Sequence, residues 1–95
     1  MNRSKPGALL NLRLYVAGTA PNSVRAIANA TAICEQHFAQ RHRLEIVDVT
    51  WHPHRALADG VVVTPTLIKL RPEPPRRLIG DLSDTEQVLL ALSGE

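Results

Sequence analysis

The sequence predicts one small α/β domain with a mixed β-sheet and helices on both faces. Three observations predict this class: an alternating apolar strand opens the chain, helical spacing follows it, and β-branched runs recur later. The chain has 95 residues, of which 44% are hydrophobic. This content suits one core and leaves no room for a second. We therefore expect a flexible tail over residues 1–8 and a single domain over residues 9–95.

The first half of the chain predicts a strand, a helix and a second strand. Apolar and polar residues alternate from Leu9 to Ala17, as in a strand with one buried face. Asn22 or Ser23 can cap the helix that follows, which then runs to Gln40. Leu44–Val49 is β-branched and short enough to be a buried strand, parallel to the first because a helix connects them. The helix carries an apolar stripe at three- and four-residue spacing: Val24, Ile27, Thr31, Cys34 and Phe38.

A short helix and a strand that contains a proline come next. Pro53–Asp59 predicts the helix, which ends at Gly60 because glycine is favoured just beyond a helix. Val61–Leu70 reads as a strand interrupted by Pro65. A proline in such a pattern belongs at an edge, at a strand start or in a cis turn, so Pro65 is a candidate for a structural cis peptide bond.

A hairpin and a last helix complete the order. The proline-dense Arg71–Pro75 predicts a turn, and Arg76–Gly80 predicts the returning strand. Ser83 and Glu86 match a capping box, in which each side chain satisfies one free amide at a helix start. The resulting order, βαβαββα, is that of a thioredoxin-like domain, although a fold alone does not give a function.

Three stretches of the sequence resemble the KaiB family of clock proteins when taken together in this order and spacing. They are LRLYVAGTAPNSVRA at Leu12–Ala26, VVVTPTLIKL at Val61–Leu70 and RRLIGDLSDTEQVL at Arg76–Leu89. The resemblance implies a non-catalytic cytoplasmic protein, without a cofactor, that docks on a KaiC or KaiC-like ATPase ring and modulates its phosphorylation or signalling state. Whether that role is circadian or stress-related stays open.

The resemblance also implies further partners and a second fold. A KaiB-binding histidine kinase or other clock-type proteins are further partners in the family, and the resting state is a dimer or tetramer. Members of the family switch fold, so the ground-state order βαββααβ is the alternative to the thioredoxin-like order. Two such arrangements of one sequence can differ by only a few kcal/mol.

Four basic residues correspond to positions that matter for partner binding in the family. They are Arg13 in the first strand, Arg25 in the first helix, Lys69 in the third strand and Arg76 before the fourth. Cations suit a negatively charged partner surface, where they steer the encounter and fix the register. The alternative is that each is a solvated surface charge, which typically contributes about 0 to 1 kcal/mol.

A thiol-disulfide oxidoreductase-derived stress protein is the alternative function, since such enzymes share the fold. They place two cysteines where the first strand meets the helix, because the helix start stabilises a thiolate. Here that place, Ala17–Asn22, holds no sulfur, and Cys34 lies on the apolar stripe as a small hydrophobe. We therefore predict no catalytic residue and no thiol chemistry.

Metal, nucleic-acid and membrane roles are also disfavoured. His52 and His54 flank a proline, but they lack the cysteine or acidic ligands that a zinc site requires. The formal net charge is +2 and the sequence has three aromatic residues, too few cations and stacking rings for a nucleic-acid surface. No stretch approaches the roughly 20 apolar residues of a membrane span. We expect a soluble protein in the cytoplasm.

Overall fold

The elements of the structure follow the order predicted from the sequence. The computed structural model describes residues 9–93, so the predicted tail over residues 1–8 lies outside the described residues. The α/β class and the βαβαββα order are confirmed, and the alternative order βαββααβ is not the one observed. The elements are β1 Leu10–Val16, α1 Pro21–His37, β2 His42–Asp48, α2 Pro53–Ala58, β3 Thr66–Arg71, β4 Arg76–Ile79 and α3 Thr85–Leu92.

The four strands form one mixed sheet in the order β2-β1-β3-β4. β1 and β2 are parallel, as predicted, because α1 returns the chain to the end of the sheet from which it started. β3 runs antiparallel to β1, and β4 pairs with β3 as an antiparallel hairpin. β1 therefore lies inside the sheet, whereas β2 and β4 form its two edges.

The larger half of the core lies between the sheet and two helices. The side chains of β1 alternate, and its even-numbered residues point toward α1 and α3. We call this apolar set the α1/α3 cluster. Its buried members are Leu10, Leu12, Leu14, Val16, Ala26, Ala30, Ile33, Cys34, Leu67, Leu82, Val88 and Leu92.

The opposite face of the sheet is covered by the shorter α2. Tyr15, Val47, Ala56 and Ile68 form a second buried group there, with Val49, Val61 and Leu70 packed against it. We call this group the α2 cluster. Because α2 has only six residues, it covers part of this face and leaves the rest of it open to charged side chains.

The start of α1 differs from the predicted cap. Pro21 is the first helical residue and Ala20 is the N-cap, with no side-chain hydrogen bond to the helix. Asn22 and Ser23 therefore lie inside the first turn, so their predicted capping role is wrong. Proline fits this position because its missing N–H would have no partner there in any case. The buried Ser23 hydroxyl instead accepts a hydrogen bond from the amide of Ala17 at 3.0 Å.

The predicted apolar stripe of α1 is only partly right. Cys34 is buried, and Ile27 and Phe38 pack at the margin of the α1/α3 cluster. Val24 and Thr31 are exposed. The residues of α1 that are buried against the sheet are mostly small, namely Ser23, Ala26 and Ala30, and Ile33 is buried with them. Small side chains let the helix approach the sheet closely. A prediction based on the spacing of large apolar residues does not identify them.

The burial of one strand and the starts of two other elements also differ from the prediction. β2 is an edge strand and not a buried one, since only Val47 is fully buried and Ile46 is 43% exposed. β3 begins at Thr66, after a cis peptide bond between Thr64 and Pro65, so the three valines before it are not part of the strand. α3 begins at Thr85 with Asp84 as its N-cap, and the predicted cap Ser83 lies one residue outside it.

Candidate partner-binding surface

A row of four side chains crosses the whole sheet on the side covered by α2. The strand register aligns Glu45 on β2 with Arg13 on β1, Arg13 with Ile68 on β3, and Ile68 with Arg77 on β4. Residues aligned in this way point to the same face of a sheet. We call Glu45, Arg13, Ile68 and Arg77 the cross-sheet row.

Arg13 is the centre of an ion-pair cluster in this row. Its Nε lies 2.9 Å from Glu45 Oε1, and its Nη1 lies 3.0 Å from Asp59 Oδ2. Arg55 on α2 pairs with the second carboxylate oxygen of Glu45 at 2.7 Å. Arg13 thus joins β1 and β2 to the end of α2, and its side chain is only 25% exposed.

Asp59 is contacted by two further side chains, those of Tyr15 and Arg77. The hydroxyl of the buried Tyr15 lies 2.5 Å from Asp59 Oδ2 and 3.0 Å from the carbonyl oxygen of Arg55, and it donates its single proton to one of them. Arg77 donates to the backbone carbonyl oxygens of Asp59 and Gly60. The end of α2 is therefore held by side chains of two strands, Arg13 and Tyr15 on β1 and Arg77 on β4.

Both carboxylates of the cluster are ionised at neutral pH. Hydrogen bonds from Arg55 and then Arg13 lower the pKa of Glu45 to about 2. The hydrogen bond from Tyr15, followed by that from Arg13, lowers the pKa of Asp59. Burial, more than the neighbouring carboxylate, raises the pKa of the Tyr15 hydroxyl. Three guanidinium groups, those of Arg13, Arg55 and Arg77, face these two carboxylates, so the cluster has a small positive excess.

A groove of about 440 Å³ opens beside the cross-sheet row. Ile68 and Leu70 provide an apolar floor, and Arg76 and Arg77 provide a basic rim. Pro75 and Asp59 complete the lining. The groove can thus accept an apolar side chain flanked by an acidic group.

Two of the four predicted contact residues lie near this groove. Arg76 lines it and is exposed, whereas Arg13 lies in the adjoining ion-pair cluster with both its partners on the same chain. Arg13 therefore positions its neighbours more than it presents a free charge. Sequence reasoning missed Arg77, which lies in the row itself. Strand alternation turns Arg76 and Arg77 to opposite faces of β4, and only the sheet order tells which of the two faces α2. Arg77 lies on that face, whereas Arg76 borders the groove from the edge of the sheet that β4 forms.

Arg25 lies elsewhere, on α1. Its side chain is 56% exposed, its Nε lies 3.3 Å from Asp81 Oδ2, and it also contacts the side chain of Asn22. Asn29 donates to the backbone carbonyl oxygen of Asp81 at 2.8 Å, so the same helix holds the loop before α3 in two places. Arg25 does not share a face with the groove.

Lys69 is fully buried in this fold, with 0% of its surface exposed. Its predicted role as a partner contact stays a prediction, and in this fold the side chain offers no exposed surface for such a contact. The four predicted basic residues do not form one patch, because β3 and α1 direct Lys69 and Arg25 away from the groove.

The junction of β1 and α1 carries no thiol. Cys34, the cysteine predicted to be inert, is buried, and burial raises its pKa to about 11. A thiol with such a pKa is protonated at neutral pH and is a poor nucleophile.

Within residues 9–93, no group of three histidine, cysteine or acidic residues is arranged to hold a metal ion. Pro65 follows a cis peptide bond. In the described part of the chain, no helix has both the length and the apolar character needed to cross a membrane.

Comparison with known protein sequences gives one consistent result. The family model of the KaiB domain matches residues 13–93. The chain is 49% identical over 81 residues to the circadian clock oscillator protein KaiB of Cyanothece sp., covering 85% of this chain and 77% of the relative. It is 48% identical over 81 residues to the circadian clock protein KaiB3 of Synechocystis sp., covering 85% and 79%.

Comparison with solved structures agrees on the fold. The N-terminal domain of SasA from Synechococcus elongatus superposes with a TM-score of 0.72 at 27% identity, covering 95% of this chain and 87% of that one. Thioredoxin from Fasciola hepatica superposes with a TM-score of 0.74 at 15% identity, covering 93% and 83%. The second likeness concerns the fold alone, because the identity is low. The thioredoxin-like class predicted from the sequence is confirmed.

Proposed function

Because the chain belongs to the KaiB family, we propose that it is a non-catalytic regulator that docks on a KaiC or KaiC-like ATPase ring. The curated relatives are named as circadian clock proteins, which supports a regulatory role in a clock. In this proposal the chain changes the phosphorylation or signalling state of the ring by occupying its surface.

The single observation that carries the proposed binding mode is the groove beside the cross-sheet row. It combines an apolar floor at Ile68 and Leu70 with a basic rim at Arg76 and Arg77. Interfaces gain affinity where apolar side chains enter a pocket, and they gain register and speed of encounter from complementary charge at the rim. An acidic surface with one protruding apolar side chain is therefore the partner that this groove fits.

The ion-pair cluster next to the groove supports the same proposal. Arg13 and Arg55 fix Glu45, and Arg13 and Tyr15 fix Asp59, so α2 is held firmly against the sheet. A surface that is already ordered loses less conformational entropy on binding. We assign Arg13 a positioning role and Arg76 and Arg77 the contact role, and Arg25 is proposed as a second contact on α1.

Fold switching, cytoplasmic location and a resting dimer or tetramer are parts of the same proposal. They rest on membership in the family and on the sequence features that first indicated it. In the βαββααβ arrangement the second half of the chain is rebuilt, so the contacts of Asp59 and Arg77 with the first half would be lost. The described arrangement is then the binding form.

Size-exclusion chromatography of the chain with a KaiC-type hexamer and ATP tests the proposal. We expect wild type to co-migrate with the hexamer. Arg77→Glu should weaken binding by about tenfold or more, because attraction at the rim becomes repulsion. Arg41→Glu is the matched control, since Arg41 is an exposed cation outside the groove that stacks on Phe38. It should bind like wild type.

Two results would contradict the proposed surface. If Arg77→Glu and Arg41→Glu bind equally well, the groove is not the interface. If Arg25→Glu abolishes binding while Arg77→Glu leaves it intact, the interface lies on the α1 side instead. The thermal unfolding midpoint of each variant, measured first, separates lost contacts from lost folding.

A further inference from the structure

Lys69 is a buried amine that the proposed binding surface does not use. The residue has 0% of its surface exposed. Among the described residues 9–93, its Nζ atom is the one buried side-chain nitrogen or oxygen without a hydrogen-bond partner. Buried polar groups are nearly always hydrogen-bonded, so an orphaned ammonium group requires an explanation.

The register of the sheet shows where the Lys69 side chain lies. On β3, Leu67 belongs to the α1/α3 cluster and Ile68 to the α2 cluster. Alternation therefore directs Lys69 to the same side as Leu67. Its partner on β1 is Leu12, which is itself fully buried in the α1/α3 cluster. The amine is thus enclosed on an apolar side of the sheet.

A second cation lies opposite Lys69 in the hairpin. Arg76 is its register partner on β4. Burial, and then the charge of Arg76, lower the pKa of Lys69 from its ordinary value. Like charges on directly opposite residues of adjacent strands destabilise the pairing. The pairing of β3 with β4 therefore contains both an unsolvated amine and a repulsive neighbour.

We propose that Lys69 is a built-in destabilising group of this fold, which limits partner binding by lowering the population of the binding form and not by touching the partner. A buried charge without a partner is costly, and its replacement by an apolar side chain of similar size is often stabilising. The apparent affinity for a partner falls with the fraction of molecules in the competent form. The part of the inference that concerns binding rests on the proposed function above.

Lys69→Met tests the stability part without any partner. Methionine keeps the length of the lysine stem and removes the amine. We expect the equilibrium constant for unfolding in denaturant to fall by about 5- to 30-fold. Arg71→Met is the matched control on the same strand, because Arg71 is 67% exposed and pairs with Glu73 at 3.4 Å. It should change that constant by less than about twofold. Unchanged stability, lower stability or failure of Lys69→Met to fold would contradict the proposal.

The pH dependence of stability provides an independent readout. Lys69 has a lowered pKa when folded, so above that pKa the unfolded chain binds the extra proton and stability rises with pH toward about 10.5. The buried Cys34 and Tyr15 have raised pKa values and lose stability in the same alkaline range. Arg76 stays charged throughout. The gap in stability between Lys69→Met and wild type should therefore narrow as the pH rises, and a constant gap would contradict the proposal.

Binding to the KaiC-type hexamer separates the proposal from a direct contact. If Lys69 touches the partner, Lys69→Met should weaken binding by about tenfold or more. If Lys69 acts through the population of the fold, the variant should bind more tightly than wild type. Equal or weaker binding would overturn the inference. If wild type does not bind any such ring, the proposed function fails, while the stability and pH results still decide the role of Lys69.

Discussion

Arg13 illustrates how one central residue can connect both halves of the chain. Its guanidinium group bridges Glu45 on β2 and Asp59 at the end of α2. Arg55 completes the arrangement from α2 by binding the free oxygen of Glu45. Fork-like guanidinium groups suit such bridging, because they present several donors in a fixed plane. Lysine at position 13 would reach one of these carboxylates at a time.

The low pKa of Glu45 leads to a prediction about acid stability. Its pKa is about 2 in the fold and about 4.3 in an unfolded chain. The stabilisation is present above about pH 4.3 and is lost as the pH falls toward 2, because the unfolded chain takes up the proton first. Glu45→Gln should therefore cost stability at pH 7, by at most about 1 kcal/mol for a partly exposed group. Denaturant titrations at pH 7 and pH 2.5 measure this.

Glu73→Gln is the matched control for that experiment. Glu73 also pairs with an arginine, but both side chains are well exposed and the distance is 3.4 Å. Its replacement should leave stability unchanged within about 0.5 kcal/mol at either pH. The difference between Glu45→Gln and wild type should shrink at pH 2.5. A difference that is equal at both pH values, or equal to that of the control, would mean that the charge of Glu45 does not stabilise the fold.

The helix starts show how a local rule can be right about an element and wrong about its first residue. Asp84 is the N-cap of α3, and its carboxylate accepts a hydrogen bond from the amide of Gln87 at 3.2 Å. The sequence pattern placed the cap at Ser83, one residue earlier. Ser83 instead donates its amide to Asp81 at 3.0 Å and belongs to the preceding turn.

Two alanine variants distinguish these assignments. Asp84→Ala should lower the free energy of unfolding by about 1 kcal/mol, the usual value of an N-cap. Ser83→Ala should lower it by less than about 0.5 kcal/mol, since an exposed turn residue contributes little. Chemical denaturation of both variants measures the difference. The reverse order of the two effects would restore Ser83 as the cap.

Much of the fold could be predicted from the sequence because its elements have strong periodic patterns. The alternation of β1 and the capping signals around α3 placed two elements nearly correctly. The order of elements then limited the sheet to a thioredoxin-like arrangement. The apolar face of α1 could not be predicted as well, because Ala26 and Ala30 are buried by close packing that a search for large apolar residues does not detect. Ser23 was assigned to a cap because its hydroxyl can accept a free helix amide, whereas in the fold it is buried and accepts the amide of Ala17.

The candidate site was less predictable than the fold. Arg13 and Arg76 came from the family resemblance, and both lie at or beside the groove. Lys69 came from the same resemblance but is buried, because its direction depends on which face of β3 meets the larger helices. Arg77 could be identified only after the register had aligned it with Ile68 and Arg13. Strand periodicity divides the side chains between two faces, but long-range packing decides which face is covered by α1 and α3 and which by α2.

At the scale of the whole molecule, the two faces of the sheet have different roles. The α1/α3 side contains the larger part of the core and encloses Lys69. The α2 side is half covered and carries the ion-pair cluster and the groove with its basic rim. A binding surface on the incompletely covered face leaves the main core undisturbed. Our account therefore assigns most of the stability to one face and the main partner contacts to the other, with Arg25 at the start of α1 as a second contact.

Hydrogen exchange of the chain, alone and in complex with a KaiC-type hexamer and ATP, tests this division most directly. Amides that a partner covers exchange more slowly, whichever side chains make the contact. The account predicts added protection from Asp59 to Val63 and from Arg76 to Ile79, with α3 unchanged. Added protection confined to α3 and the C-terminal half of α1, with none around the groove, would contradict it.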